Sequence, residues 1–374
     1  MSDHYIPVAD TSFDNAEMAN VIDAIKGKAV SGFFGSYIQR FEREFAEFVG
    51  CKFGVAVSNG TTAIHLALST LGIGPGDEVL VSTYTNMATF FPVLYNGAVP
   101  IPVDVEQDTW NLAPRLIEER ITKRTRAIIV VHIFGHPVDM DPIMDMARRH
   151  GLHVIEDCAQ AHGALYKGRV VGSIGTIACF SFYANKIITT GEGGMVTTND
   201  SNLAERASLL KSLAYGADER FMHEAVGYNY RMTNIQAALG CAQMQKIEAL
   251  IAGKRRLASE YTRRLSGLPC LRLPVEREYA KNVYWMYHVV LDQRGAKDRA
   301  RVMKELRDRG IESRPGFVPY NMQKIFVERG LVKQESCPVA NELARNAFYL
   351  PSAPNLSDTD IDYVANSLME ILKA

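Results

Sequence analysis

Lys186 is flanked by Phe180, Phe182 and Tyr183 on one side and by Ile187 and Ile188 on the other, and the run Gly191-Glu192-Gly193-Gly194 follows at once. A lysine desolvated among apolar groups has a lowered pKa and becomes a nucleophilic amine. Such an amine forms Schiff bases with carbonyl compounds. Two other stretches bear on what it captures. Asp157 closes the apolar run "HVIED", and open α/β sheets place ligand-binding residues at the carboxyl ends of strands. Taken alone, an acid there is more often a helix cap or a surface acid at a strand end. The turn Ser58-Asn59-Gly60-Thr61-Thr62 joins a strand-like run to an apolar helical one. It points free backbone N–H groups and hydroxyls at a helix start, a setting suited to phosphate, although an ordinary capped helix reads the same way. It lacks the Gly-Lys-Ser/Thr ending of a P-loop, and no G-x-G-x-x-G follows the early strands, which disfavours a dinucleotide fold.

One cofactor uses all three features together. Pyridoxal phosphate has an aldehyde for a lysine, a ring nitrogen that an acid keeps protonated, and a phosphate for a helix N-terminus. The protonated ring is the better electron sink for a carbanion at the substrate carbon.

The elements that must position these residues alternate over the first two thirds of the chain. Strand signals fall at 53–58, 78–82, 99–105, 127–134, 153–158 and 177–183. Helix signals fall at 61–72, 87–97 and 140–151. This alternation predicts βαβ units and a mainly parallel sheet covered on both faces. From Thr233 the pattern becomes one long or kinked helix, then a strand at 284–292, a helix through "RARVMKELRDRG" and a C-terminal helix capped at Ser357 or Asp358. The expected division is 1–245 for a large cofactor-binding domain and 246–374 for a smaller α/β domain, with the N-terminal segment packed on the smaller one.

Composition narrows the partners. The 374 residues are 47% hydrophobic and 22% charged, with 41 basic against 42 acidic side chains. No like-charge run calls for nucleic acid or an anionic membrane surface. The N-terminus lacks a signal-peptide pattern, and the strongest apolar run is too short to span a bilayer. Six scattered cysteines without a C-x-x-C pair favour reduced thiols in the cytoplasm and argue against an iron–sulfur cluster. His132 and His136 have i, i+4 spacing on a strand and turn rather than a helix, so no metal site is expected. The aromatic run Trp285 to His288 reads as strand core, and Gly191, Gly193 and Gly194 read as turn glycines.

The motifs "SNGTTAIHLAL", "GIGPGDEV", "HVIEDCAQAHGALYKGR", "VGSIGTIACFSFYANKIITTGEGGMVTTND" and "GYNYRMTNIQAA" resemble those of the DegT/StrS group of nucleotide-sugar aminotransferases, which are fold-type I pyridoxal phosphate enzymes. The resemblance covers nearly the whole chain. It implies a mixed seven-stranded sheet and a smaller C-terminal domain. It implies that Lys186 binds the cofactor covalently and moves protons, that Asp157 pairs with the ring nitrogen, and that Gln160 lies near the ring hydroxyl. Gly60, Thr61 and Ser181 would contact the phosphate, and Asn229 would reach it from the neighbouring subunit of a homodimer with shared active sites. The reaction implied is transfer of an amino group from L-glutamate to a nucleotide-linked 4-keto-6-deoxy sugar, for a deoxyamino sugar of an O-antigen or other polysaccharide. Amination at C3, or of a UDP- or dTDP-linked sugar, is the alternative. Sugar dehydratases of the same fold replace the lysine with histidine, so Lys186 argues against that branch. The intact Lys186, Asp157 and phosphate turn argue against a non-catalytic relative. Two positions depart from the pattern. Where many members stack an aromatic on the cofactor, this chain has Asn86, with Tyr84 two residues away as a substitute. Where many have a histidine after "RPGFVPY", it has Asn321. Both departures are expected to alter substrate or cofactor geometry.

Overall fold

The computed structural model describes residues 5–215, 221–292, 298–332 and 337–373. Helices α1 (Asn15–Lys26) and α2 (Ser36–Val49) precede strand β1 (Phe53–Val57). There follow α3 (Gly60–Thr70), β2 (Glu78–Ser82), α4 (Phe91–Tyr95), β3 (Val99–Val103), β4 (Thr125–Val131), α5 (Met140–His150) and β5 (His153–Asp157). A short hairpin, β6 (Leu165–Tyr166) and β7 (Arg169–Val170), leads to β8 (Ile177–Ser181), β9 (Gly194–Thr198) and α6 (Ser201–Leu210). The large sheet has seven strands in the order β1-β9-β8-β5-β4-β2-β3. β9 alone runs against the other six, which makes the sheet mixed but mainly parallel.

The apolar runs of these strands lack polar alternation because both faces are buried. Ala127 and Ile129 of β4, Ile155 of β5 and Cys179 of β8 pack on the side of α3 and α6. Ile128, Val130, Val154 and Phe180 pack on the opposite side with Phe41 and Phe45 of α2. Successive residues thus serve opposite cores, as the period of two requires.

The segment from Thr233 forms two helices, α7 (Asn234–Met244) and α8 (Ile247–Leu265). Thr233 caps α7 in a capping box with Gln236. After β10 (Leu271–Arg272) and β11 (Ala280–Lys281) come β12 (Tyr287–Leu291), α9 (Arg299–Asp308), β13 (Arg314–Pro315), α10 (Lys324–Val327), α11 (Pro338–Asn346), β14 (Ala347–Leu350) and α12 (Asp358–Lys373). Strands β10-β12-β14-β13 make a four-stranded antiparallel sheet. Its core joins Leu257, Tyr261 and Leu265 of α8 to Ile361, Val364 and Leu368 of α12, and Ile6 packs into it. β11 instead pairs with β6 and so ties the later segment to the earlier one. Ser357 caps α12, its Oγ accepting from Asp360 N at 3.1 Å. All six cysteines are unbridged.

Several elements differ from expectation. The helix expected over 87–97 is only Phe91–Tyr95, because residues 86–90 turn to bring Thr89 toward Asp157. The long or kinked helix expected from Thr233 takes the kinked form, with the break at Gln245–Lys246. Strand β9 and helices α1, α2 and α6 were not expected. β9 carries two glycines' worth of turn signal at its start, and that masks a five-residue strand buried throughout.

Candidate active site

The carboxyl ends of β5 and β8, the N-terminus of α3 and the loop before β9 open onto one cavity of about 740 Å³. Gly60, Thr61, Asn86, Asp157, Gln160, Ser181 and Lys186 all line it. Seven of the eight residues singled out from sequence therefore meet in one place. The eighth, Asn229, is exposed and bridges to Ser212, away from the cavity of its own chain.

Each side chain is held by local structure. Asn59 caps α3, its Oδ1 accepting from Thr62 N at 2.9 Å, and Thr62 Oγ1 accepts from Asn59 N at 3.1 Å. The backbone N–H of Ala63 goes to Asn59 O. That leaves the N–H groups of Gly60 and Thr61, the first two of an eleven-residue helix, facing the cavity without internal partners. A Cβ on Gly60 would lie 2.7 Å from Ser181 Cβ, so glycine is what lets the helix start sit against Ser181. Gly194, expected to be a turn glycine, is instead the first residue of β9 and packs on the same helix start. A Cβ there would lie 2.4 Å from Asn59 O and 3.0 Å from Gly60 N. Since β9 is registered between β1 and β8, it cannot move away. Gly194→Ala is expected to cost about 1–3 kcal/mol through overpacking. A lowered thermal midpoint together with weaker phosphate-ester binding would bear this out; an unchanged midpoint would contradict it.

Asp157 follows Glu156, and the two neighbours do different work. Glu156 is fully buried beneath the sheet. It accepts from Gly172 N at 2.8 Å, Ile174 N at 2.8 Å and Gly175 N at 2.6 Å, and pairs with His132 Nε2 at 3.1 Å. Burial alone would raise its pKa, but His132 and these N–H groups outweigh it and hold the carboxylate low. His132 Nδ1 accepts from Val138 N at 3.0 Å, so both ring nitrogens are engaged. Two members of the compact group His132, Glu156 and Cys158 thus pair with each other and with backbone N–H groups. His136 is likewise engaged, with Pro137 O and Arg277 N. Asp157 faces the cavity. It accepts from Thr89 Oγ1 at 2.8 Å and Ala159 N at 3.1 Å. Burial raises its pKa, and Thr89, Ala159 and Lys186 oppose that rise. Gln160 Oε1 accepts from Phe134 N at 2.8 Å, which leaves its amide nitrogen as the end available to the cavity.

Lys186 sits on the loop between β8 and β9. The loop is tied by Phe182 N to Gly193 O, Thr190 N to Phe182 O and Lys186 N to Tyr183 O, each at 2.8–2.9 Å. Gly191 takes a left-handed conformation, φ +78°, at its tip. The lysine borders the cavity and is only partly screened from solvent, yet protein crowds its ammonium group. Desolvation lowers its pKa to about 8, against the charge of Asp157. The ammonium lies 4.0 Å from the centroid of the Trp285 ring.

Three expectations about neighbouring residues change. Tyr84 does not stand in for a stacking aromatic. It is fully buried outside the cavity, its hydroxyl 2.9 Å from His288 Nε2. Asn86 is exposed at the cavity edge, with Oδ1 accepting from Ala88 N at 2.9 Å. Asn321 does not touch the cavity: it is buried, accepting from Thr83 Oγ1 at 3.0 Å and donating to Asn341 Oδ1 at 2.8 Å. Trp285, expected only as strand core, lines the cavity beside Arg314, Phe317 and Tyr349. Thr89 was also not foreseen, since nothing in "TNMATF" marks it and only the fold brings it to Asp157.

A desolvated amine, a buried carboxylate and an open helix N-terminus around one cavity are groups suited to carbonyl chemistry on a phosphorylated ligand. The chain belongs to the DegT/DnrJ/EryC1/StrS aminotransferase family, whose profile matches residues 11–369. It is 41% identical to the GDP-perosamine synthase of Escherichia coli O157:H7 over 366 residues, 98% of each chain. It is 38% identical to the dTDP-3-amino-3,4,6-trideoxy-alpha-D-glucose transaminase of Streptomyces venezuelae, over 91% of this chain and 87% of that one. The X-ray structure of S. venezuelae DesV is 35% identical and superimposes with a TM-score of 0.91 over 98% of both chains.

Proposed function

We propose that this aminotransferase moves an amino group from L-glutamate to a GDP-linked 4-keto-6-deoxy sugar with pyridoxal 5′-phosphate as cofactor, as a GDP-perosamine synthase does. The observation that carries the proposal is the convergence of Lys186, Asp157 and the open N–H groups of α3 on one cavity. The residues fit the cofactor. A Cβ at Gly60 would crowd the cradle between α3 and Ser181, and the two N–H groups left there suit a phosphate. When bound, the cofactor supplies an aldehyde that carries the amino group and a ring that takes up electrons.

The chain's own residues do the rest. Lys186, with its amine partly neutral near pH 8, binds the aldehyde and later takes and returns the migrating proton at Nζ. Asp157 holds the ring-nitrogen proton, and Thr89 and Ala159 fix its two oxygens. Gly60, Thr61 and Ser181 would hold the phosphate, and Gln160 and Asn86, which line the same cavity, would contact the ring side of the cofactor. Arg314, paired with Glu312 Oε1 at 3.0 Å, brings a cation to the cavity for the anionic part of a substrate. We take residues 1–245 as the cofactor-holding part and 246–374 as the part that adds Trp285, Arg314, Phe317 and Tyr349. Glutamate-dependent amination across GDP-, UDP- and dTDP-linked keto-sugars tests the assignment, with the GDP-linked 4-keto-6-deoxy sugar expected to be turned over fastest. The Streptomyces venezuelae relative supports the second reading, amination at C3 or of a dTDP-linked sugar, and preference for such a substrate would replace the first.

We further propose a closed twofold dimer in which Asn229 completes the partner's phosphate site. Asn229 is exposed and outside its own cavity, and Phe33, Phe34, Met222 and Val226 leave large apolar surface uncovered. Mixing Lys186→Ala chains with Asn229→Ala chains gives hybrids with one doubly damaged and one intact site. If Asn229→Ala is severely impaired, activity should return to about half the wild-type site count per hybrid by symmetry. Exchanged mixtures that stay inactive would place Asn229 in its own chain's site.

A further inference from the structure

Lys254, on α8, is a buried cation for which the proposed reaction has no use. It is 3% exposed, and among the described residues no carboxylate pairs with it. Its Nζ donates to two backbone carbonyls, Trp285 O at 2.9 Å and Ser352 O at 2.5 Å. Burial of an unpaired ammonium lowers its pKa to about 7. An apolar residue of similar length would avoid that desolvation, so the two carbonyl contacts call for an explanation beyond packing.

The Trp285 carbonyl belongs to the residue whose indole meets Lys186. Trp285 N donates to Phe134 O at 2.9 Å, so with Lys254 on the carbonyl the backbone is pinned on both sides. The indole Nε1 donates to Asn185 O at 2.8 Å, one residue before Lys186. The Lys186 ammonium lies over the ring at 4.0 Å. Lys254 and Lys186 also border one crevice of about 10 Å³, too small for more than a single water. The N-terminal segment closes this crevice, with Thr11 Oγ1 donating to Ala184 O at 3.0 Å.

We propose that Lys254 is a positioning residue for Lys186: by bridging the carbonyls of Trp285 and Ser352 it holds the indole against the reactive amine. The proposal rests on Lys186 being the cofactor lysine, but its geometry can be read without turnover. A group over the face of an aromatic ring is shielded in NMR. In the full chain freed of cofactor and biosynthetically labelled with ε-¹³C-lysine, the Lys186 resonance, assigned by Lys186→Arg, is expected upfield of the other lysines. Trp285→Leu should abolish that displacement. Lys254→Met should remove most of it in a protein that still melts cooperatively. The double variant should shift no further than Trp285→Leu alone, because both act through one contact. Lys254→Gln is one bond shorter and cannot bridge both carbonyls, so a partial shift is expected; it serves as the test if Lys254→Met does not fold. An unmoved Lys186 resonance in folded Lys254→Met, or in Lys254→Gln, overturns the proposal. So does an additive shift in the double variant. Failure of the cofactor assignment itself would appear separately, as covalent labelling of a different lysine.

Discussion

Borohydride reduction of the purified yellow protein is expected to fix the cofactor on Lys186 and on no other lysine. Burial desolvates this amine and lowers its pKa to about 8, against the charge of Asp157. Below that value the nitrogen is mostly an ammonium, which cannot attack an aldehyde. Above it the amine is free. Capture of pyridoxal phosphate by the cofactor-free chain should therefore speed up about tenfold per pH unit up to about pH 8 and then level off. A climb that continues to the ordinary lysine range would show that the amine is not desolvated in solution. Lys186→Ala removes both the covalent anchor and the proton carrier. Turnover should fall by at least about four orders of magnitude, the upper range for general acid–base catalysis alone. The fold should survive, because the loop is tied through backbone groups and the Thr189 hydroxyl rather than through the lysine side chain. Retention of multiple turnover by Lys186→Ala would remove the lysine from the mechanism.

The second large effect is expected at Asp157. Asparagine is nearly isosteric and keeps an acceptor for Thr89 Oγ1, which donates to the carboxylate at 2.8 Å. The substitution removes the charge together with one of the two hydrogen bonds, since the amide nitrogen cannot accept from Ala159 N. Without the carboxylate the ring nitrogen loses its counter-charge, and the electron sink weakens as negative charge develops in the transition state. Preorganised electrostatic contributions of this kind are worth about 3–5 kcal/mol, or roughly two to three and a half orders of magnitude in rate. Single-turnover measurements should show both half-reactions slowed, while covalent capture by Lys186 persists. Wild-type rates in Asp157→Asn would mean that another acid holds the ring proton.

What the sequence by itself determined were features set by near neighbours along the chain. The apolar runs of β2, β4, β5 and β8 identify buried strands because each is continuous and bounded by turn residues. The lysine between two apolar runs, the acid at a strand end and the capped turn before an apolar helix are the features on which the proposed chemistry rests. The apolar neighbours Phe180, Phe182, Ile187 and Ile188 fix the loop that carries Lys186 in the core. The motifs also led to the family that the whole-chain match bears out.

Tertiary structure decided the rest, because it depended on which distant segments meet. Thr89 reaches Asp157 across 68 positions, and Trp285 reaches Lys186 across about a hundred, so neither partnership leaves a local signal. Tyr84 and Asn86 show the same limit at short range. Two residues apart in a polar-aromatic stretch, they look interchangeable in sequence. The turn after β2 sends the tyrosine inward to His288 and leaves the asparagine at the cavity edge. Asn321 was placed at the site by its position after "RPGFVPY", yet the chain turns inward there and buries it between Thr83 and Asn341. Strand β9 was hidden because Gly193 and Gly194 resemble a turn when read alone. Only the close approach of α3 explains why a buried strand begins with a residue that has no side chain.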